Sequence, residues 1–182
     1  KATKQYQNRQ YNQAIKSLNG ILKFHRNTDT SDDALYLIAK TYSRMENWEK
    51  ALGAYRALYD SDFYSSRELQ SRMAAAKILT YKIGGYKQSL RLIDRTLRMK
   101  LNREQRAELM EIRFTNLMKT GAQLEAFETL VKLSEEHPVV TKRDSFKRKA
   151  KAFLDSRLSG PDLKDFADDS PRSDLKVDAM YR

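Results

Sequence analysis

Along residues 46–60, ENWEKALGAYRALYD, the side chains Trp48, Ala51, Tyr55 and Leu58 follow one another at steps of three, four and three. Residues three or four apart share one face of an α-helix, so the stretch predicts a helix with a single packed stripe. The small Ala51 between two aromatics predicts a second helix crossing at that point, with Trp48 and Tyr55 packed to either side. The arrangement recurs in NRQYNQAIKSLNGIL (8–22), KIGGYKQSLRLIDRTL (82–97) and KTGAQLEAFETLVKL (119–133). Each opens on a polar or Gly corner, and the small residues Ala14, Ala51, Ser89 and Ala126 correspond, at separations of 37, 38 and 37. A bulky residue stands four positions after each, at Leu18, Tyr55, Ile93 and Leu130. An aromatic stands three before in three of them, at Tyr11, Trp48 and Tyr86, with Gln123 in the fourth.

Other helical patterns lie between these segments. In DDALYLIAKTYSRM (32–45), Leu35, Ile38, Ala39 and Tyr42 share a face. The recurring unit is therefore two helices and a corner, and small residues mark the crossings. Only three Pro and six Gly occur in 182 residues, too few for the frequent turns of a β-sandwich, and the chain reads as all-α.

These residues resemble the tetratricopeptide repeat family. Residues 32–65 carry Leu35, Ile38, Ala39, Tyr42, Trp48, Ala51, Tyr55 and Leu58 at the spacings of that family's consensus, and Pro138 falls at its inter-repeat proline. The other units are looser. The third has Ala75, Ala76 and Lys77 where one small residue is expected, leaving two registers open, and Phe114 occupies the small position of the last. The resemblance implies a right-handed superhelical solenoid of antiparallel helix pairs. It covers residues 1–138 as about four repeats, the first incomplete, which implies a longer parent chain.

RDSFKRKAKAFLDSRL (143–158), within 139–160, reads as a capping helix: Phe146, Ala150 and Phe153 repeat the first-helix pattern, and Gly160–Pro161 ends it. Residues 161–182 form an acidic, polar tail with Phe166, Met180 and Tyr181 as apolar anchors. Docked on a repeat surface, it makes either a plug in its own groove or a self-association contact with a second copy.

Candidate chemistry is sparse. No cysteine is present, so thiolate metal and redox sites are excluded. His25 and His137 stand far apart, in no metal-ligand or triad spacing, and read as solvated or corner residues. KIGGYK (82–87) lacks the pattern of a phosphate loop and reads as a corner. Paired carboxylates such as Glu135–Glu136 and Asp32–Asp33 lie at corners, where they favour helix N-termini or water. The expectation is a non-enzymatic chain with no cofactor and no metal.

Charge narrows the partner. Lys and Arg total 35 against 24 Asp and Glu; the tail holds six Asp against four basic residues, so residues 1–160 carry +13. Arg143, Lys147, Arg148, Lys149, Lys151 and Arg157 crowd the capping helix. Such a field favours acidic partners. No base-reading motif is present and Tyr11, Tyr42, Tyr55 and Tyr86 hold packing positions, which argues against nucleic acid. No apolar run is long enough to span a membrane, so membrane attachment requires an upstream anchor.

The family resemblance implies a concave groove that binds a peptide or helix of a partner protein. Carried onto this chain, its groove positions are Asp33, Tyr36, Lys40, Ser43 and Arg44 in the second unit, and Ala74, Ile78, Tyr81 and Lys82 in the third. The last full unit gives Glu108, Glu111, Thr115, Met118 and Lys119, and the capping helix Lys147 and Lys151. Leu37 stands where chaperone-tail clamps carry Asn, against that specialisation. The expected function is an interaction or scaffold module; the alternative is a regulatory or substrate-gripping domain of a larger enzyme. The chain is similar in texture to repeat modules of bacterial envelope-assembly proteins and outer-membrane lipoproteins, which implies a periplasmic location, with a cytoplasmic one as the alternative.

Overall fold

The computed structural model describes residues 1–25, 28–60, 64–156 and 161. Among them are nine α-helices: α1 (Ala2–Gln7), α2 (Tyr11–Phe24), α3 (Asp29–Arg44), α4 (Trp48–Tyr59), α5 (Glu68–Ile78), α6 (Tyr86–Thr96), α7 (Arg103–Thr120), α8 (Gln123–Glu136) and α9 (Val140–Ser156). A π-helical turn, Leu79–Ile83, continues α5. No strand occurs among the described residues, and the protein is all-α. No described helix is long and apolar enough to cross a membrane.

Local sequence fixes several helix starts. Thr28 and Ser31 form a capping box at α3, Asn102 and Gln105 form another at α7, and the Asn47 side chain accepts from the Lys50 amide at α4. Each satisfies backbone N–H groups that the first turn leaves unpaired.

The chain divides into two compact units, Lys1–Gly85 and Tyr86–Arg182. In the first, each helix from α1 to α5 packs on its neighbours in sequence. Its core gathers Ala2, Leu18, Ala34 and Ile38, with Ile21, Leu22, Leu37, Tyr42 and Ala54 against them. In the second, α6 packs on α7, α7 on α8 and α8 on α9. Phe127 and Phe153 stack there with centroids 6.1 Å apart, inside a core that includes Leu117, Leu130, Leu133 and Ala150. Phe114 is half-buried against that core, while on α9 Phe146, Ala150 and Phe153 are buried and Lys147 and Lys151 exposed.

Four corners share one geometry. Arg9, Glu46, Gly84 and Gly121 are left-handed, at φ 60°, 56°, 74° and 79°. Their separations are again 37, 38 and 37, and each precedes by five positions one of Ala14, Ala51, Ser89 and Ala126. All four of those small residues are completely buried. At three corners the amide after the left-handed residue donates to the carbonyl five residues back: Gln10 to Gln5 (2.9 Å), Asn47 to Tyr42 (3.0 Å) and Ala122 to Leu117 (3.1 Å). This bond closes a helix C-terminus by using one of its free carbonyls. At the fourth, Gly85 donates to Leu79 at 2.8 Å, six residues back.

The extra residue in that corner is the π turn, which adds one residue to a helix. It accounts for the single separation of 38 and settles the register of the third unit. Ala76 lies 37 after Ala39, both are completely buried, and Lys77 is exposed. The equivalent small position is therefore Ala76, one residue before the alternative at Lys77.

Candidate functional site

The groove positions of the second unit lie on α3. Tyr36, Lys40 and Arg44 are four apart and emerge on one face, away from the buried Ile38 and Ala39. Lys40 Nζ stands 5.9 Å from the centroid of the Tyr36 ring and 6.0 Å from that of Tyr6 on α1, between two aromatic faces. Arg44 Nε–H donates to the Tyr6 hydroxyl at 3.4 Å, and the Tyr6 and Tyr11 rings lie 6.1 Å apart. At the other end, Arg67 lies with its guanidinium carbon 5.6 Å from the Tyr36 centroid and donates to Asp33 Oδ1 at 2.6 Å. Tyr36 in turn meets the edge of Tyr55, centroid to centroid 5.7 Å. One surface thus carries two half-buried tyrosine rings, two exposed cations and one cation already paired.

Tyr55 anchors this surface from below. It is almost completely buried, and burial pushes its phenol up to about 12, a hydrogen bond with Ser43 acting in the opposite direction. Ser43 also donates to the Ala39 carbonyl at 2.9 Å, so its hydroxyl is engaged inward.

Other expected positions are dispersed. Lys82, on the π turn, stands 5.4 Å from the Trp48 ring centroid at the start of α4, and Tyr81 is exposed beside it. Ile78 is buried on α5, while Lys77 before it is exposed and Ala74 is half-buried. Thr115 donates back to the Glu111 carbonyl at 3.1 Å, Met118 packs on the second core, and Lys119 is exposed. Lys147 and Lys151 lie on α9 in the same unit as these three. The tail anchors Phe166, Met180 and Tyr181 lie outside the described residues.

Tyr6 and Arg67 join the site without having been expected there. Tyr6 was legible: it lies 37 residues before Ser43, at the groove position of the incomplete first unit. Arg67 carries no such signal, since its place follows from the corner between α4 and α5.

His137 corrects the solvated reading. It is at a corner, following α8, but buried, with its ring 5.7 Å from Phe146. The Val139 amide donates to Nδ1 at 3.0 Å, which leaves Nε2 to carry the proton toward Glu111 Oε1, also at 3.0 Å. Lys142 donates to the same oxygen at 2.8 Å. Burial raises the Glu111 carboxyl, and the bonds from Lys142 and His137 outweigh it, holding the group below its ordinary range. Glu111 is thus committed to a structural network.

Among the described residues, no group of three or more His, Cys, Asp or Glu side chains is placed to hold a metal ion. No family model, curated protein or solved structure matches this chain.

Proposed function

We propose that the protein is a solenoid of helix pairs that binds an acidic segment of a partner protein across the α3 face. The observation that carries this reading is the placement of Lys40 between the Tyr6 and Tyr36 rings with Arg44 beside it. Aromatic rings hold the two exposed cations in a fixed array, and a carboxylate arriving there meets preorganised charge and flat apolar faces together. The recurring corners and buried small residues support the solenoid, since equal units stacked on one another leave a continuous surface along the first helix of each pair.

The test is a peptide array of mixed composition probed with the whole chain. Acidic peptides should be retained, and replacing their Asp and Glu by Asn and Gln should abolish retention. Retention indifferent to that replacement overturns the reading.

A further inference from the structure

In the second of the two compact units, the one that begins at Tyr86, three helix ends converge on a cleft of about 490 Å³. The first turn of α7 supplies Arg103 and Arg106, α8 supplies Lys132 one residue before its last turn, and the first turn of α9 supplies Arg143. Ala107, Met110 and Leu133, all buried, form its apolar floor. Glu135 and Glu136 also line it, so four cations face two carboxylates. Among the described residues none of the four cations forms an ion pair, and Arg143 Nε is buried with no hydrogen-bond partner. A buried cationic N–H without an acceptor is costly, and an anion entering the cleft supplies the missing acceptor.

We propose that this cleft is a binding site for a phosphoryl group, seated on Arg143 and held at the rim by Arg103, Arg106 and Lys132. Three guanidinium groups suit phosphate better than a point charge does, because their forked donors match its oxygens in pairs. The local excess of two positive charges offsets a phosphate monoester, which carries about −1.5 to −2 near neutral pH. Two helix N-termini, those of α7 and α9, border the cleft and favour negative charge in the same place. The apolar floor gives room for the group that bears the phosphate. The site lies wholly within the second unit and does not depend on the α3 face.

The experiment titrates the full chain with inorganic phosphate, replacing chloride at constant ionic strength, and reads the melting temperature and binding heat. Phosphate should raise the melting temperature saturably. Arg143→Lys, which keeps the charge and loses Nε, should weaken binding by about tenfold, the equivalent of one charge-assisted hydrogen bond. The rim variant Arg106→Gln, Lys132→Gln leaves the buried group untouched and should also weaken it, which keeps the test decisive if Arg143→Lys folds poorly. Binding of a phosphoserine peptide more tightly than phosphate assigns the site to a phosphorylated protein segment; binding of phosphate alone assigns it to a small phosphate, and both support the site. A melting shift no larger than chloride produces, or an affinity unchanged in both variants, overturns it. So does an oligonucleotide that displaces phosphate with no dependence on Arg143.

Discussion

Glu46 and Gly121 hold the same left-handed backbone, at φ 56° and 79°, at equivalent corners of different units. The corner requires this conformation because the next amide must turn back onto the helix it leaves, as Asn47 does to Tyr42 and Ala122 to Leu117. Glycine adopts it without strain, whereas a Cβ brings it close to the following carbonyl. Glu46→Gly should therefore stabilise by about 0.5–1 kcal/mol after the entropy of the freer unfolded chain is subtracted. Gly121→Ala should destabilise by about 1–2 kcal/mol. No atom lies within 4 Å of a Cβ built on Gly121, so the loss reports backbone strain rather than a clash. Denaturant unfolding of both variants checks the pair; equal signs for the two changes refute the equivalence of the corners.

At Ala51 the constraint is space. The residue is completely buried where α3 and α4 pack, with Tyr55 buried one turn on. Ala51→Phe should overpack the crossing and cost about 1–3 kcal/mol or more, lowering the melting temperature. A variant that melts with the parent protein removes the crossing from this position.

The helices and their corners were legible because two demands recur at fixed spacing: a small buried side chain, and a turn that breaks the helix five residues earlier. The π turn was not legible. Ala75, Ala76 and Lys77 stand where one small residue is expected, so the sequence left the register open by one position, and only the Gly85 to Leu79 bond reveals the added residue. The same turn carries Lys82, which lies over the Trp48 ring. The α3 ladder was visible as residues four apart, but the sharing of Lys40 by Tyr6 depends on how α1 and α2 bring Tyr6 alongside. His137 gave no periodic signal, and its partner Glu111 lies 26 residues away on another helix. Its burial therefore had no trace in the local sequence.

Alkaline pH should expose the burial of Tyr55. Its phenol is pushed up to about 12 from an ordinary 10.0. Between those values the unfolded chain has released this proton and the folded chain retains it, so the unfolded state gains as pH rises. The contribution is constant below about pH 10 and is lost progressively toward pH 12. Stability should fall more steeply across that interval in the parent protein than in Tyr55→Phe, with denaturant midpoints as the measurement. Parallel profiles place the phenol in water and contradict its burial.

The α3 surface can be tested separately from the fold. Lys40 and Arg44 are exposed, and their contacts are a cation between two rings and one long hydrogen bond to Tyr6. Exposed contacts of this kind are worth about 0–1 kcal/mol each, so Lys40→Glu, Arg44→Glu should leave the melting temperature nearly unchanged. The same change reverses the charge that an acidic partner meets, and should lower affinity for acidic peptides by about tenfold or more while reducing its salt dependence. The whole chain is basic, so the comparison must hold net charge constant. Lys16→Glu, Lys23→Glu on α2 makes an equal charge change at two exposed positions away from the tyrosine rings. Loss confined to the α3 variant locates binding on that face; equal loss in both assigns it to the overall field of the protein.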